Sequence, residues 1–155
     1  MKIKWTELLK SIAVPLAVGG ASALISMDAM KSFESLNKPP LSPPAFLFPI
    51  VWSILYVLMG ISAYLVTVSD KPTRAKTALT VYGVQLFFNF MWSILFFNLE
   101  AYLFSFIWLV ILLVLIILTA YLFYGINKTA GYLMIPYILW VTFAGYLNFA
   151  IFLLN

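Results

Sequence analysis

The run IWLVILLVLIIL at residues 107–118 contains no charged side chain, and its only polar atom in a side chain is the indole nitrogen of Trp108. It lacks the alternation of polar and apolar residues that is typical of a strand in a membrane barrel. Apart from a closed barrel, only a helix pairs all of its own backbone groups in hydrocarbon. The run therefore predicts a membrane-spanning helix.

The whole chain has the composition of such helices. Of its 155 residues, 65% are hydrophobic and 9% are charged, whereas soluble domains have about 45 to 50% apolar and about 25% charged residues. A crossing of the hydrocarbon core needs about 20 apolar residues, so the chain has room for roughly five. We expect an all-α integral membrane protein, a five-transmembrane-helix bundle that forms one domain over residues 1–155, with helices at about 8–27, 46–68, 77–98, 101–126 and 130–154.

Several kinds of chemistry are excluded by the residue inventory. The chain has no Cys and no His, which excludes a disulfide framework, a thiol nucleophile, a His-based triad and an ordinary zinc site. The acidic residues lie at span ends or in loops, so no buried carboxylate is available for proton-coupled transport or for general acid/base catalysis. We therefore expect a protein that is not an enzyme, with no catalytic residue, metal or cofactor.

The first connection, at residues 28–45, differs from the other, shorter ones. It contains the run Lys38-Pro39-Pro40-Leu41-Ser42-Pro43-Pro44, which holds four of the eight prolines of the chain. These prolines exclude a regular helix and favour a stiff, extended path. The loop is either a rigid spacer between two spans or a lid over a ligand entrance.

Basic residues predict the orientation. Seven Lys and Arg residues fall on the side of the membrane that carries the N-terminus, and two, Lys31 and Lys38, on the other. The positive-inside rule then places the N-terminus in the cytoplasm if the membrane is a bacterial inner membrane. Because the basic residues are scattered singly, no nucleic-acid partner is expected.

The first span allows two interpretations. Lys2, Lys4 and Lys10 precede an apolar stretch that ends in small residues, an order that is also found in cleaved signal peptides. Against cleavage, the apolar stretch continues to about residue 27. Ala13, Ala17 and Ala21 recur every four residues, which favours close packing against another helix.

Polar and aromatic side chains share one face on each of three predicted helices. In the third span, helical spacing aligns Gln85, Asn89, Trp92, Ser93 and Phe96. The second span has a similar face with Trp52 and Tyr56, and the fifth has Tyr137, Trp140, Ala144 and Asn148. These faces indicate either hydrogen bonds and aromatic belts that join helices or a mostly apolar ligand pocket.

Motifs in four parts of the chain resemble those of the TspO/MBR family, which includes the mitochondrial translocator protein and bacterial tryptophan-rich sensory proteins. They keep the family's order and approximate spacing. The first loop has Leu36-Asn37-Lys38-Pro39 and Pro43-Pro44; the second helix has Pro49-Ile50-Val51-Trp52, Tyr56 and Met59-Gly60; the third has Gln85-Leu86, Asn89, Trp92-Ser93 and Phe96-Phe97; and the fifth has Pro136-Tyr137, Trp140, Phe143-Ala144 and Leu147-Asn148.

The resemblance implies a five-helix bundle, often dimeric, with an internal cavity closed by the first loop. Family members bind porphyrins such as protoporphyrin IX, and some bind sterols or benzodiazepine-type ligands. The resemblance thus implies, as partners, a porphyrin or another hydrophobic small molecule, membrane lipid and a second copy of the chain. The alternatives to ligand binding are passive transport of such a ligand and a structural or regulatory role.

Carried over by motif, the site residues fall into two sets. The ligand-binding residues are Phe33, Trp52, Tyr56, Asn89, Trp92, Ser93, Phe96, Trp140, Ala144 and Asn148, and the loop lid is formed by Lys38, Pro39, Pro43 and Pro44.

The chain departs from the family pattern at several positions. Ser32-Phe33 and Leu41 stand where the family usually has Trp-Tyr and Trp. Photodegradation of porphyrin, proposed for bacterial relatives with loop aromatics, is therefore not expected. Trp108 replaces an acidic residue that is common in the fourth helix, and Tyr146 lacks the basic residue that follows it in the sterol motif of animal members.

Overall fold

The computed structural model describes residues 2–155, which form helices joined by short connections. Five helical segments are long and apolar enough to cross a membrane, which confirms the predicted five-helix fold. The helices are α1 (Trp5–Phe33), α2 (Leu47–Thr67), α3 (Pro72–Ser93), α4 (Tyr102–Ile126), α5 (Lys128–Leu133) and α6 (Ile135–Leu154). Helices α5 and α6 together make the fifth crossing.

Hydrogen bonds between distant residues define the two ends of the bundle. At the N-terminal end, the backbone N–H of Lys4 donates to the hydroxyl of Tyr64 at 2.9 Å. At the opposite, loop end, Ser26 Oγ donates to Asn98 Oδ1 at 2.8 Å. Helix α1 packs on α2, α3 on α4, and α4 on α6, while α5 packs on α2. The connections α2–α3 and α4–α5 therefore lie at the N-terminal end, and the first loop lies at the loop end.

Helix α1 is longer than the predicted span of 8–27, and the first loop is shorter than the predicted 28–45. Helix α1 continues to Phe33, so the loop covers residues 34–46. The charged residues that suggested an earlier end lie on the last turns of the helix, where Asp28 and Lys31 approach to 3.5 Å. A helix does not have to end where its apolar run ends, because side chains three apart support it outside the hydrocarbon.

Proline explains two further differences between the predicted and the observed helix bounds. Helix α3 begins at Pro72, five residues before the predicted start, because proline suits the first turn of a helix, where its missing N–H would have no partner. The fifth crossing, predicted as one helix over 130–154, is interrupted at Met134. Pro136 cannot donate a hydrogen bond to the preceding turn, which accounts for the break.

The close approach of α1 and α2 depends on Gly60. A Cβ atom at this position would overlap the backbone of Ile12 and would lie 2.8 Å from the carbonyl oxygen of Ser11. That carbonyl is also the one that Pro15, four residues later in α1, cannot pair. The absence of a side chain at Gly60 thus lets the two helix backbones touch.

The stripe of small residues on α1 lies on the outside of the bundle. Ala13, Ala17 and Ala21 are all exposed, and the buried residues of α1 are Pro15, Ser22 and Ser26. The stripe therefore packs against no other helix of the same chain.

The substitution Gly60→Ala tests the helix contact. Since the clash is with backbone atoms, which cannot rotate away, we expect a loss of stability of about 1–3 kcal/mol. The measurement is the thermal unfolding midpoint in detergent. Gly83→Ala is the matched control, because nothing lies within 4 Å of a Cβ atom there; equal midpoints for both variants would contradict the proposed contact.

Candidate ligand-binding cavity

A cavity of about 220 Å³ lies inside the loop-end half of the bundle. Its walls come from α1, α2, α3 with the π-helical turn Ile94–Asn98, and α6, and no charged residue lines it within the described range 2–155. The structure brings all ten predicted ligand-binding residues to this one wall; their contact with a ligand stays a prediction. The ten residues are Phe33, Trp52, Tyr56, Asn89, Trp92, Ser93, Phe96, Trp140, Ala144 and Asn148.

Aromatic rings form much of the wall in two stacked pairs. Trp52 and Tyr56 of α2 have ring centroids 5.6 Å apart at an interplanar angle of 27°. On the α3 side, Trp92 and Phe96 are 5.4 Å apart at 25°. Residues four apart on a helix lie one above the other, which produces these stacks. Each pair presents a flat, apolar surface, and such surfaces suit the faces of planar ligands.

A chain of hydrogen bonds holds the base of the cavity. The hydroxyl of Tyr56 donates to Asn89 Oδ1 at 2.8 Å, and Asn89 Nδ2 donates to the hydroxyl of Tyr137 at 2.7 Å. Tyr137 in turn donates to Gln85 Oε1 at 2.7 Å. The chain ties α2, α3 and α6 together. Because an amide offers two donor hydrogens and two lone pairs, Asn89 keeps one of each for a ligand.

The second amide of the wall, Asn148, is more fully engaged. Its Oδ1 accepts hydrogen bonds from Trp92 Nε1 at 3.0 Å and Ser105 Oγ at 3.1 Å. Its Nδ2 donates to the carbonyl of Tyr102 at 2.8 Å. Asn148 therefore fixes the orientation of the Trp92 ring, and Asn89 is the amide with more capacity for a ligand.

The first loop is fastened to α6. Tyr146 donates to the carbonyl of Pro40 at 2.9 Å, and Asn37 and Asn155 exchange two hydrogen bonds of 3.1 and 2.9 Å. Ala45 is the loop residue that lines the cavity, and the predicted lid residues lie outside its lining: Lys38, Pro39, Pro43 and Pro44. The loop thus covers the loop end through its contacts with α6.

Lys38 acts on the cavity wall indirectly. Its ammonium nitrogen lies 4.9 Å from the centroid of the Phe33 ring, which does line the cavity. Cation–π attraction of this kind helps to hold the ring in place.

Besides the predicted Phe33, helix α1 contributes four residues to the wall that the sequence did not predict. Gly19, Ser22, Ala23 and Met30 all line the cavity, and a Cβ atom at Gly19 would overlap the ring of Tyr56. The small residues of this wall recur three or four positions apart, and this spacing is the signal that the sequence contains. The stripe of Ala13, Ala17 and Ala21 on the opposite face of α1 has a similar spacing, so the pattern alone does not identify the face that lines the cavity.

Trp108, whose role the sequence left open, packs outside the cavity. Its ring stacks on Phe88 with centroids 4.2 Å apart and an angle of 20°, and its Nε1 donates to the carbonyl of Phe88 at 2.8 Å. Trp108 therefore joins α4 to α3.

Comparisons with known proteins agree on one family. The TspO/MBR family model matches residues 11–154. The chain is 37% identical over 146 residues to the tryptophan-rich protein TspO of Chlorobaculum tepidum, covering 93% of this chain and 92% of that protein. It is 31% identical to the tryptophan-rich sensory protein of Cereibacter sphaeroides, with 100% and 95% covered, and 29% identical to the translocator protein of Bos taurus, with 79% and 73% covered.

Asn89→Leu tests the hydrogen-bond chain. The substitution keeps the volume but leaves the buried hydroxyl of Tyr56 without its acceptor, which should destabilise the protein by about 1–3 kcal/mol. Adding Tyr56→Phe removes the orphaned hydroxyl, so the double variant should be more stable than Asn89→Leu alone. Thermal unfolding of the four proteins measures this coupling, and strictly additive losses would contradict it.

Proposed function

The chain belongs to the TspO/MBR family of integral, multi-pass membrane proteins, and we propose that it binds a flat, hydrophobic aromatic ligand in the loop-end cavity. Our specific candidate is a metal-free porphyrin such as protoporphyrin IX. The observation that carries the proposal is the wall itself, in which two stacked aromatic pairs and one amide with spare hydrogen-bonding capacity surround an uncharged cavity.

The chemistry of the wall supports this class of ligand. The stacked pairs Trp52–Tyr56 and Trp92–Phe96 offer ring faces against which a macrocycle can pack, while Asn89 can orient a polar edge. The chain has no His or Cys, the usual side chains that ligate haem iron from the protein. A metal-free tetrapyrrole therefore fits the residues better than haem does.

The size of the cavity determines what must happen when a porphyrin binds. At about 220 Å³ it is smaller than the roughly 300–1,000 Å³ that small-molecule sites occupy. A porphyrin therefore needs the wall to move. The base is held by the Tyr56–Asn89–Tyr137 hydrogen bonds. At the loop end, the ring of Phe48, which also lines the cavity, lies 6.0 Å from that of Phe33 and 5.9 Å from that of Trp140, centroid to centroid. We propose that this wall, which rests on ring contacts, moves outward.

Binding is favoured over transport by the packing of the other half of the bundle. Between the cavity and the N-terminal end lie side chains that are almost fully buried, among them Met59, Ile116, Phe123 and Met134. None of these four side chains lines the cavity. A passive transporter would need these side chains to separate, whereas a binding protein would not.

The orientation and the oligomeric state complete the proposal. For a bacterial inner membrane we place the N-terminus in the cytoplasm, because seven of the nine Lys and Arg residues lie at the N-terminal end of the bundle. The exposed stripe of Ala13, Ala17 and Ala21 on α1 supports a homodimer, since small residues let helices approach closely in a membrane.

The double variant Trp52→Leu, Trp140→Leu tests the proposed site. Each lost aromatic contact removes about 0.5–1.5 kcal/mol, so affinity for protoporphyrin IX in detergent should fall by roughly tenfold. The shift of the porphyrin absorption band, titrated against protein, measures the affinity.

The control is Trp5→Leu, because Trp5 is exposed at the far end of α1. It should bind the porphyrin as the unmodified protein does. Unchanged affinity in the double variant, with an unfolding midpoint that shows it is folded, would refute the site.

A further inference from the structure

A second concavity lies on the outside of the bundle, at its N-terminal end and separate from the cavity. This groove has a volume of about 480 Å³ and runs between the last turn of α2 and the N-terminal part of α3. Its lining is formed by Thr67, Pro72, Ala75, Lys76, Leu79 and Thr80. It shares no lining residue with the loop-end cavity.

Lys76 is the charged side chain in this lining, and it is exposed. The two hydroxyls of the groove are already used inside their own helices: Thr67 donates to the carbonyl of Ala63 at 2.8 Å, and Thr80 donates to that of Lys76 at 2.8 Å. The remaining surface is apolar and is formed mainly by Pro72 and Leu79, since Ala75 is buried. The groove therefore combines one available cation with a hydrophobic floor.

The neighbouring basic side chains, Lys71 and Arg74, lie near α4 and do not line the groove. Lys71 Nζ donates to the carbonyl of Gly125 at 3.5 Å, and Arg74 Nη2 lies 2.9 Å from the position of a Cβ atom at Gly125. Both side chains thus approach the C-terminal end of α4, where the helix dipole favours positive charge. Lys76 has neither this contact nor an ion pair with any residue from 2 to 155, Asp70 on the adjacent connection included.

The charge of the membrane face agrees with an anionic occupant. The N-terminal end carries seven basic and two acidic residues, whereas the loop end carries two basic and three acidic ones. Basic residues at a membrane surface attract anionic lipid headgroups. A lysine near the start of a spanning helix can also extend its ammonium group to headgroup level while its methylene stem stays on apolar surface.

We propose that the groove between α2 and α3 binds an anionic phospholipid of the surrounding leaflet. The ammonium group of Lys76 pairs with the lipid phosphate, and an acyl chain lies along Leu79. The site is independent of the ligand proposed for the loop-end cavity, so either proposal can fail without the other.

The test compares lipids that differ in headgroup charge. The purified protein in mixed micelles is titrated with dioleoyl phosphatidylglycerol or with dioleoyl phosphatidylcholine, and the thermal unfolding midpoint is followed. Lipid that binds the folded protein raises this midpoint, and we expect the anionic lipid to raise it more. Lys76→Gln should weaken the apparent affinity for the anionic lipid by about fivefold, the effect of one basic residue at an anionic surface.

Two variants make the result specific. Lys128→Gln removes an exposed lysine from the same end of the bundle but outside the groove, and it should respond as the unmodified protein does. Lys76→Arg keeps the charge and should also keep the response. An equal response of Lys76→Gln and Lys128→Gln, or equal effects of the two lipids, would overturn the proposal. If Lys76→Gln does not fold, the test uses Thr80→Phe, which narrows the groove and keeps the charge of Lys76. The proposal then requires that Thr80→Phe weakens the response to the anionic lipid.

Discussion

The interior of this protein depends on the hydrogen bonds of the Asn89 side-chain amide. It accepts a hydrogen bond from Tyr56 and donates one to Tyr137, so one side chain ties three helices together in the interior of the bundle. In hydrocarbon an unpaired amide is unfavourable, and pairing it with partners on two other helices sets their rotation. Those rotations decide which faces of α2, α3 and α6 point inward.

The packing of the bundle differs on the two sides of Asn89. On the N-terminal side the residues are tightly packed, with Met59, Ile116 and Met134 at 1% exposure or less. On the loop side large rings meet at their edges and faces and leave a cavity. Helix α1 closes the cavity with small residues, because Gly60 and Gly19 let it approach α2 and the ring of Tyr56. The first loop adds a cover that is held by Tyr146 and Asn155.

Sequence reasoning recovered the parts that depend on local pattern. Hydropathy located five crossings, and helical spacing placed Asn89, Trp92 and Phe96 on one face, because both signals arise within a single segment. The contribution of α1 to the cavity was not predictable in this way, since Gly19 and Ser22 acquire their role only from the approach of α2. The same holds for the contact of Tyr146 with Pro40, which joins residues far apart in the chain.

The indole N–H signals of the five tryptophans provide the most direct measurement of the central claim. In a ¹⁵N–¹H spectrum of the labelled protein in detergent, a porphyrin shifts the signals of nearby protons through its ring current. Titration with protoporphyrin IX should shift the signals of Trp52, Trp92 and Trp140, which line the cavity, and leave those of Trp5 and Trp108 in place. Shifts confined to Trp5 or Trp108 would show that the ligand binds outside the cavity and would contradict the account.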